Sequence, residues 1–396
     1  MGAHRYVAAI KALSGLYIHI PFCPQICPYC AFASLRGVDH LHERYVSALC
    51  KELSVWGRKY RENPLQTIFI GGGTPTQIDP SLIGHVLEAT DQAFGIRPGA
   101  EITVEANPGA VDRKKFSHLK SVGCNRLSLG VQSFDNLALK KLGRVHGSEE
   151  AERAFISARE AGFSNVSIDL IFSIPDVAEA AWQGSVDKAI SLQPEHISAY
   201  ALMIEEGTLF AKREGKGSLV GLTDDDDAMQ YEWVRQRLLD SGYKQYEVSN
   251  FAMDGYVSRH NWGYWIGSEY LGVGLSAHSF VRGERFWNVK DIETYIQRVE
   301  GDISPEDGRE RIDSQTARRE RFWLGLRTSQ GVLLSESELE SLKEHSHMNE
   351  WLEAKYLSIK KGRVLLADKG WNIADGLSVE LTDILEQREE GITQRV

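Results

Sequence analysis

Cysteine is scarce in this chain of 396 residues: there are five, at positions 23, 27, 30, 50 and 124. An odd number with three clustered argues against a disulfide framework and for a reducing compartment, where thiolates stay free for metal. Long apolar runs are missing too, so no spanning helix or secretory signal core is expected, and the opening MGAHRYVAAIKALSG has only a few basic residues and a short apolar run. A cytoplasmic protein without an integral membrane segment is the expectation, with an organelle transit segment the minor alternative. Positive charge is in deficit, 45 Lys and Arg against 55 Asp and Glu for a formal net charge of -10. That balance leaves no electrostatic footprint for nucleic acid or anionic lipid, and neither is expected as a partner.

What is present is an ordinary globular composition, long enough for two or three domains. From Leu16 to Met203, apolar β-branched runs alternate with segments of helical period. LYIHI (16–20), TIFI (67–70), EITVEA (101–106), RLSLGV (126–131), VSIDLIF (166–172) and HISAYALM (196–203) read as strands. Helical spacing occupies 42–56, 80–94, 113–122, 151–161 and 178–192. Repeated βαβ units imply a parallel sheet with helices outside and ligands at the carboxyl ends of the strands. Six units are too few for a closed eight-stranded barrel, so the expected fold is α/β, a partial (β/α)6 barrel over 16–215 preceded by an extension, 1–15.

Unusual residues gather at those strand ends. The first strand runs into the loop carrying Cys23, Cys27 and Cys30, and the second into Gly71-Gly72-Gly73-Thr74-Pro75. The third carries Glu105 before Asn107-Pro108, the fourth ends in Gly130-Val131-Gln132-Ser133, and the fifth carries Asp169. A zinc ion or an iron–sulfur cluster normally takes four protein ligands, so three thiolates either borrow a fourth side chain or leave one position open. His19 is placed to complete a Cys3His zinc site, and spacing alone does not choose. Glycines without Cβ atoms let backbone groups approach a ligand, and carboxylates inside apolar strands are costly unless paired or ligand-bound. Cys50 and Cys124 read as small buried hydrophobes.

Beyond Glu205 a Gly/Lys-rich connector (212–218) leads to the acidic run Asp224–Asp227, read as the first turn of a helix rather than a metal site. The aromatic, Gly-rich stretch 243–280 contains His260-Asn261 and Tyr264-Trp265 and suits a cavity-lining loop; 216–305 is read as an α+β region. A helix at 292–299 precedes a charged stretch, 304–320. Helices at 335–342 and 348–357 and a strand at 363–367 suggest a winged-helix-like module over 306–396, of mixed charge and without the basic stripe of a DNA reader.

Taken together, the cysteine loop, GGGTP and the polar strand ends resemble the radical S-adenosylmethionine (SAM) proteins. The resemblance implies that Cys23, Cys27 and Cys30 hold three irons of a 4Fe–4S cluster and that SAM chelates the fourth, where one-electron reduction cleaves it. It also implies SAM contacts at Gly72, Gly73, Thr74, Tyr17, Glu105, Gln132, Arg144 and Asp169, with Tyr29 beside the cluster and Met203 near the adenine. YIHIPFC, GGGTP, Glu105–Pro108, Gly130–Ser133 and Ile168–Leu170 narrow the resemblance to the anaerobic coproporphyrinogen III oxidase superfamily.

Within it, the oxidase branch has a fourth cysteine where this chain has Phe32, and a longer segment ahead of the loop. Tyr246–Ala252 (YEVSNFA) and His260-Asn261-x-x-Tyr264-Trp265 instead resemble the haem chaperone branch, which usually has Asp where this chain has Ala31; the change removes a carboxylate beside the cluster without touching its ligands. The chaperone reading implies haem as cargo and acceptor haem proteins, such as respiratory enzymes, as partners. Among candidate axial ligands His260 leads, with His278 and His146 behind it, and Asn261, Tyr264 and Trp265 join it as haem-handling residues. The alternative is a radical SAM oxidative decarboxylase of porphyrinogen propionates, and a third class is a zinc-stabilised interaction module. Nothing local decides between a monomer and a dimer.

Overall fold

In the computed structural model, residues 13–61 and 63–393 are described. The expected extension, 1–15, lies almost wholly outside them. The six anticipated strands are β1 (Gly15–Ile20), β2 (Leu65–Gly72), β3 (Ile96–Ala106), β4 (Arg126–Gln132), β5 (Val166–Phe172) and β6 (His196–Ala201). They pair in parallel, in sequence order, with a helix after each of the first five, which is the expected partial barrel.

Alternation along these strands sorts the side chains. Leu16, Ile18, Ile68, Ile70, Val104, Leu127, Leu129, Ile168 and Ile197 are buried among the core. The alternate positions carry Tyr17 and His19, Phe69 and Gly71, Thr103 and Glu105, Arg126 and Ser128, Ser167 and Asp169, His196 and Ser198. A sheet apolar toward its helices and polar toward its concave side turns polar groups inward rather than building a packed apolar interior.

The sheet is wider than the sequence reading anticipated. The aromatic-rich stretch and the residues just after it contribute β7 (Lys244–Glu247) and β8 (Asn250–Ala252) beyond β6, and β9 (Tyr270–Val273), β10 (His278–Val281) and β11 (Glu284–Asn288) beyond β1. The charged stretch 304–320 is not irregular. It forms β12 (Glu306–Arg311), the edge of a twelve-stranded sheet, and the start of the Ser314–Leu326 helix. Charged side chains along an exposed edge strand discourage pairing with other chains, and the same charges hide the strand from a pattern reading.

Asp224–Asp227 form the first turn of the Asp224–Asp240 helix, capped by Thr223, as the macrodipole argument required. In the C-terminal module, β13 (Val332–Leu333), β14 (Leu357–Lys360) and β15 (Arg363–Leu366) make a small antiparallel sheet beside four helices, Ser314–Leu326, Glu336–Glu344, Ser346–Glu353 and Ala374–Thr393. The helix expected to reach 357 ends at Glu353, because β14 takes over at Leu357.

Candidate functional site

Short backbone bonds shape the cysteine loop. Leu35 N–H donates to Pro21 O (2.7 Å) and Cys23 N–H to Leu35 O (2.8 Å), so the loop leaves and rejoins the end of β1 at one place. Gly73 N–H donates to Ile20 O (2.9 Å) and Thr74 N–H to Phe22 O (2.8 Å), stitching the glycine turn alongside. That stitching requires glycine: a Cβ on Gly73 would lie 2.7 Å from the Pro21 carbonyl oxygen, and Gly72 has φ 117°.

Each thiol meets a different polar neighbour. Cys23 Sγ lies 3.4 Å from Thr74 Oγ1, Cys27 Sγ accepts from Arg144 at 3.5 Å, and Cys30 Sγ lies 3.7 Å from Ser34 Oγ. All three are free thiols of intermediate exposure. Among the described residues, no three His, Cys, Asp or Glu side chains converge as a single ion would require. Nor is His19 a spare ligand. It is buried, its Nδ1 bonds Tyr17 Oη (2.9 Å) and its Nε2 bonds Ala33 O (2.8 Å), and burial holds its pKa down to about 4 despite the Ala33 carbonyl. This donor set suits a cluster, which puts each thiolate on a different iron, and does not suit Cys3His zinc.

Below the loop, Glu105 accepts from Gly72 N–H (3.1 Å). Burial, and then the Asp169 carboxylate, push its pKa up to about 8 against that hydrogen bond. Asp169 accepts from three serines on three strands: Ser128 (2.7 Å), Ser167 (2.9 Å) and Ser198 (2.8 Å). Gln132 sits at the end of β4 with φ 68°, a left-handed conformation that a non-glycine residue keeps only where its surroundings impose it. Arg144 donates to Gly130 O (2.9 Å), while its Nε is buried without a protein partner. Tyr29 packs on Phe210, and Met203 is 67% exposed past β6. Tyr17, Glu105, Gln132, Arg144 and Asp169 thus share the cysteine end and concave side with the Gly72–Thr74 turn.

Sequence reasoning missed the layer beneath. Arg126 is 1% exposed with all three guanidinium nitrogens unpaired, and the hydroxyl of Thr103, its register partner on β3, is unpaired as well. Buried polar atoms without protein partners mark space for water or ligand. The signal was available in β4, where Arg126, Ser128, Gly130 and Gln132 alternate with leucine and valine.

His260 lies elsewhere. The Arg259–Trp265 helix closes the opposite end of the barrel, its first N–H groups donated to Glu101 (both 3.0 Å). His260 Nδ1 bonds Thr67 (2.9 Å), Nε2 bonds Tyr264 (2.8 Å), and burial drives its pKa down to about 3. An axial ligand needs a free ring nitrogen, and this imidazole has none to offer as folded. Asn261, Tyr264 and Trp265 belong to the same floor helix, beside a cleft of about 220 Å³. That cleft is smaller than the ~300 Å³ at which small-molecule pockets start. His146 is also spoken for, bonded to Asn107 and Val131 O at 3.1 Å each. His278 is exposed.

Residues 17–189 match the radical SAM superfamily. The chain is 32% identical over 370 residues to haem chaperone HemW of Lactococcus lactis, covering 91% of this chain and 95% of that one. It is 36% identical over 323 residues to haem chaperone HemW of Bacillus subtilis (81% and 85% covered), and 41% over 270 residues to that of Escherichia coli (67% and 70%). Among solved structures, the radical SAM enzyme coproporphyrinogen III oxidase (HemN) from Escherichia coli superposes with a TM-score of 0.80 at 21% identity, covering 94% of this chain and 90% of that one, a likeness of fold. With such identity across almost the whole of both chains, the chain belongs to the HemW family of the radical SAM superfamily, whose membership implies a 4Fe–4S cluster and SAM.

Proposed function

We propose that this protein binds haem and hands it to acceptor haem proteins such as respiratory enzymes, in the cytoplasm, carrying a 4Fe–4S cluster and SAM at the open end of its barrel. Cys23, Cys27 and Cys30 would hold the cluster and leave one iron for SAM. When bound, the pair supplies one-electron chemistry at the sulfonium. The chain's own part is positional. Gly72, Gly73 and Thr74 present backbone and hydroxyl groups at the turn, Arg144 faces Cys27 with one buried donor to spare, and Glu105 and Asp169 are acceptors for the polar groups of a nucleoside. Tyr17, Tyr29, Gln132 and Met203 complete the lining in this reading.

The observation that carries haem over porphyrinogen chemistry is at position 32. Where the oxidase branch has a fourth cysteine, Phe32 stands 74% exposed beside the thiols. Ile26 (41%), Leu209 (47%) and Met203 (67%) add exposed apolar surface from neighbouring strand-end segments. Apolar side chains gathered at an open site fit a flat hydrophobic cargo. Among the described residues no helix is long and apolar enough to cross a membrane.

The test is an anaerobic assay of cluster-reconstituted protein, scored for haem transfer to an apo haem protein and for decarboxylation of coproporphyrinogen with SAM and reductant. Transfer without decarboxylation is expected. Turnover of coproporphyrinogen without haem transfer would replace this reading with the oxidase one.

A further inference from the structure

Beyond β1 the sheet continues as a flank of four strands, β9 to β12, whose two faces differ. One face is packed. Val281 and Phe286 are buried, and Phe286 lies 5.3 Å from the Trp56 ring. The buried Glu52 carboxylate accepts from Tyr295 (2.6 Å), Asn288 (2.8 Å) and Gly274 N–H (2.9 Å), locking the His42–Tyr60 helix to the flank.

The other face looks to the concave side. Tyr270 on β9 meets the floor residue Tyr264 at 4.6 Å and pairs in register with Phe280 on β10. Alternation puts His278 on the same face as Phe280. Register sets its level: Phe280 pairs with Tyr270, which brings His278 opposite Gly272, and Gly272 pairs with Tyr17 of β1, so His278 lies level with Tyr17. It is exposed and stacks on its register partner Trp287 at 5.7 Å and 26°. Trp287 is itself held down over Gly308, where a Cβ would come 2.3 Å from the indole.

Availability separates this histidine from the others on the concave side. His19, His146, His196 and His260 each have both ring nitrogens hydrogen-bonded within the protein. His278 has instead an orienting aromatic neighbour and an exposed ring. Partial burial, then Lys290, then Arg285 lower its pKa, against Glu310, which favours the neutral imidazole that binds iron. Arg285 is engaged by Glu310 and Glu320 (both 2.8 Å), whereas Lys290 is exposed at the end of the same strand pair.

We propose that His278 is the axial ligand of the haem iron, with Trp287 fixing the imidazole, Phe280 supplying apolar surface and Lys290 facing a propionate. The proposal rests on the haem-binding reading above. It moves the cargo from the floor helix to the flank beyond β1, level with Tyr17.

Ferric haem titrated into wild-type protein, His278→Ala and His260→Phe tests it. The wild type and His260→Phe are expected to give the same Soret spectrum and the same affinity, while His278→Ala binds at least about tenfold more weakly with a shifted Soret band. Added imidazole should restore the wild-type spectrum to His278→Ala, which a purely structural histidine would not allow. No haem binding by the wild type would remove the underlying reading. Binding by His278→Ala with wild-type spectrum and affinity would overturn this proposal alone.

Discussion

The two ends of this barrel carry similar side chains to opposite purposes. At the floor, His260, Tyr264 and Thr67 bond to one another, and Glu101 caps the helix, so each polar group is consumed by its neighbours. At the open end, three thiols are free, Arg144 keeps an unpaired donor, and Glu105 is held uncharged by its surroundings. A motif rich in His, Asn, Tyr and Trp signals a ligand site only if its lone pairs are left over after folding. Here the folded chain spends them at one end and saves them at the other.

The largest effect should come at the open end. Single Ser substitutions of Cys23, Cys27 or Cys30 are expected to abolish cluster iron after reconstitution with the fold intact by circular dichroism, while Cys50→Ser and Cys124→Ser keep the iron content of the wild type. Full iron in any of the three would break the comparison.

At the floor the expected loss is of stability. His260→Phe leaves the Thr67 and Tyr264 hydroxyls without their buried partner and should cost about 1–3 kcal/mol in urea denaturation, with haem binding retained. Lost haem binding at unchanged stability would reverse the roles of the two ends.

A subtler effect concerns Glu105, whose pKa burial and Asp169 push up to about 8. A carboxyl with a folded pKa above its unfolded one contributes stability that is full below the ordinary carboxylate range and fades as pH rises through about 8. Without SAM, the thermal midpoint of the wild type should therefore fall relative to Glu105→Gln between about pH 6 and about pH 9. A constant difference would mean that the carboxyl is ionised throughout.

The smallest effect is expected at Phe32. Its ring is 74% exposed, so Phe32→Cys should change stability by no more than about 0.5 kcal/mol. Coproporphyrinogen decarboxylation gained by this variant would make position 32 decisive between the two branches, and no gain would place the difference elsewhere in the pocket.

The six core strands were legible because their helix-facing positions are uniformly apolar, and the cysteine and glycine turns because their spacing is local. β12 was not, since an edge strand with Glu306, Arg309 and Glu310 looks like a solvated loop. The floor role of His260 was hidden for a different reason. Its partners Thr67 and Glu101 lie far away in sequence, and only the fold reveals that they occupy the ring and the helix N-terminus. Arg126 was overlooked because a single basic residue opening a strand resembles a surface charge until the strand is seen to curve around it.

The most direct test of the contrast is calorimetric titration of SAM into the iron-reconstituted wild type and a Cys23, Cys27, Cys30 triple Ser variant. One SAM bound per wild-type chain and none per variant is the expected result. Equal SAM binding by both would show that the open end is not organised around its three thiols.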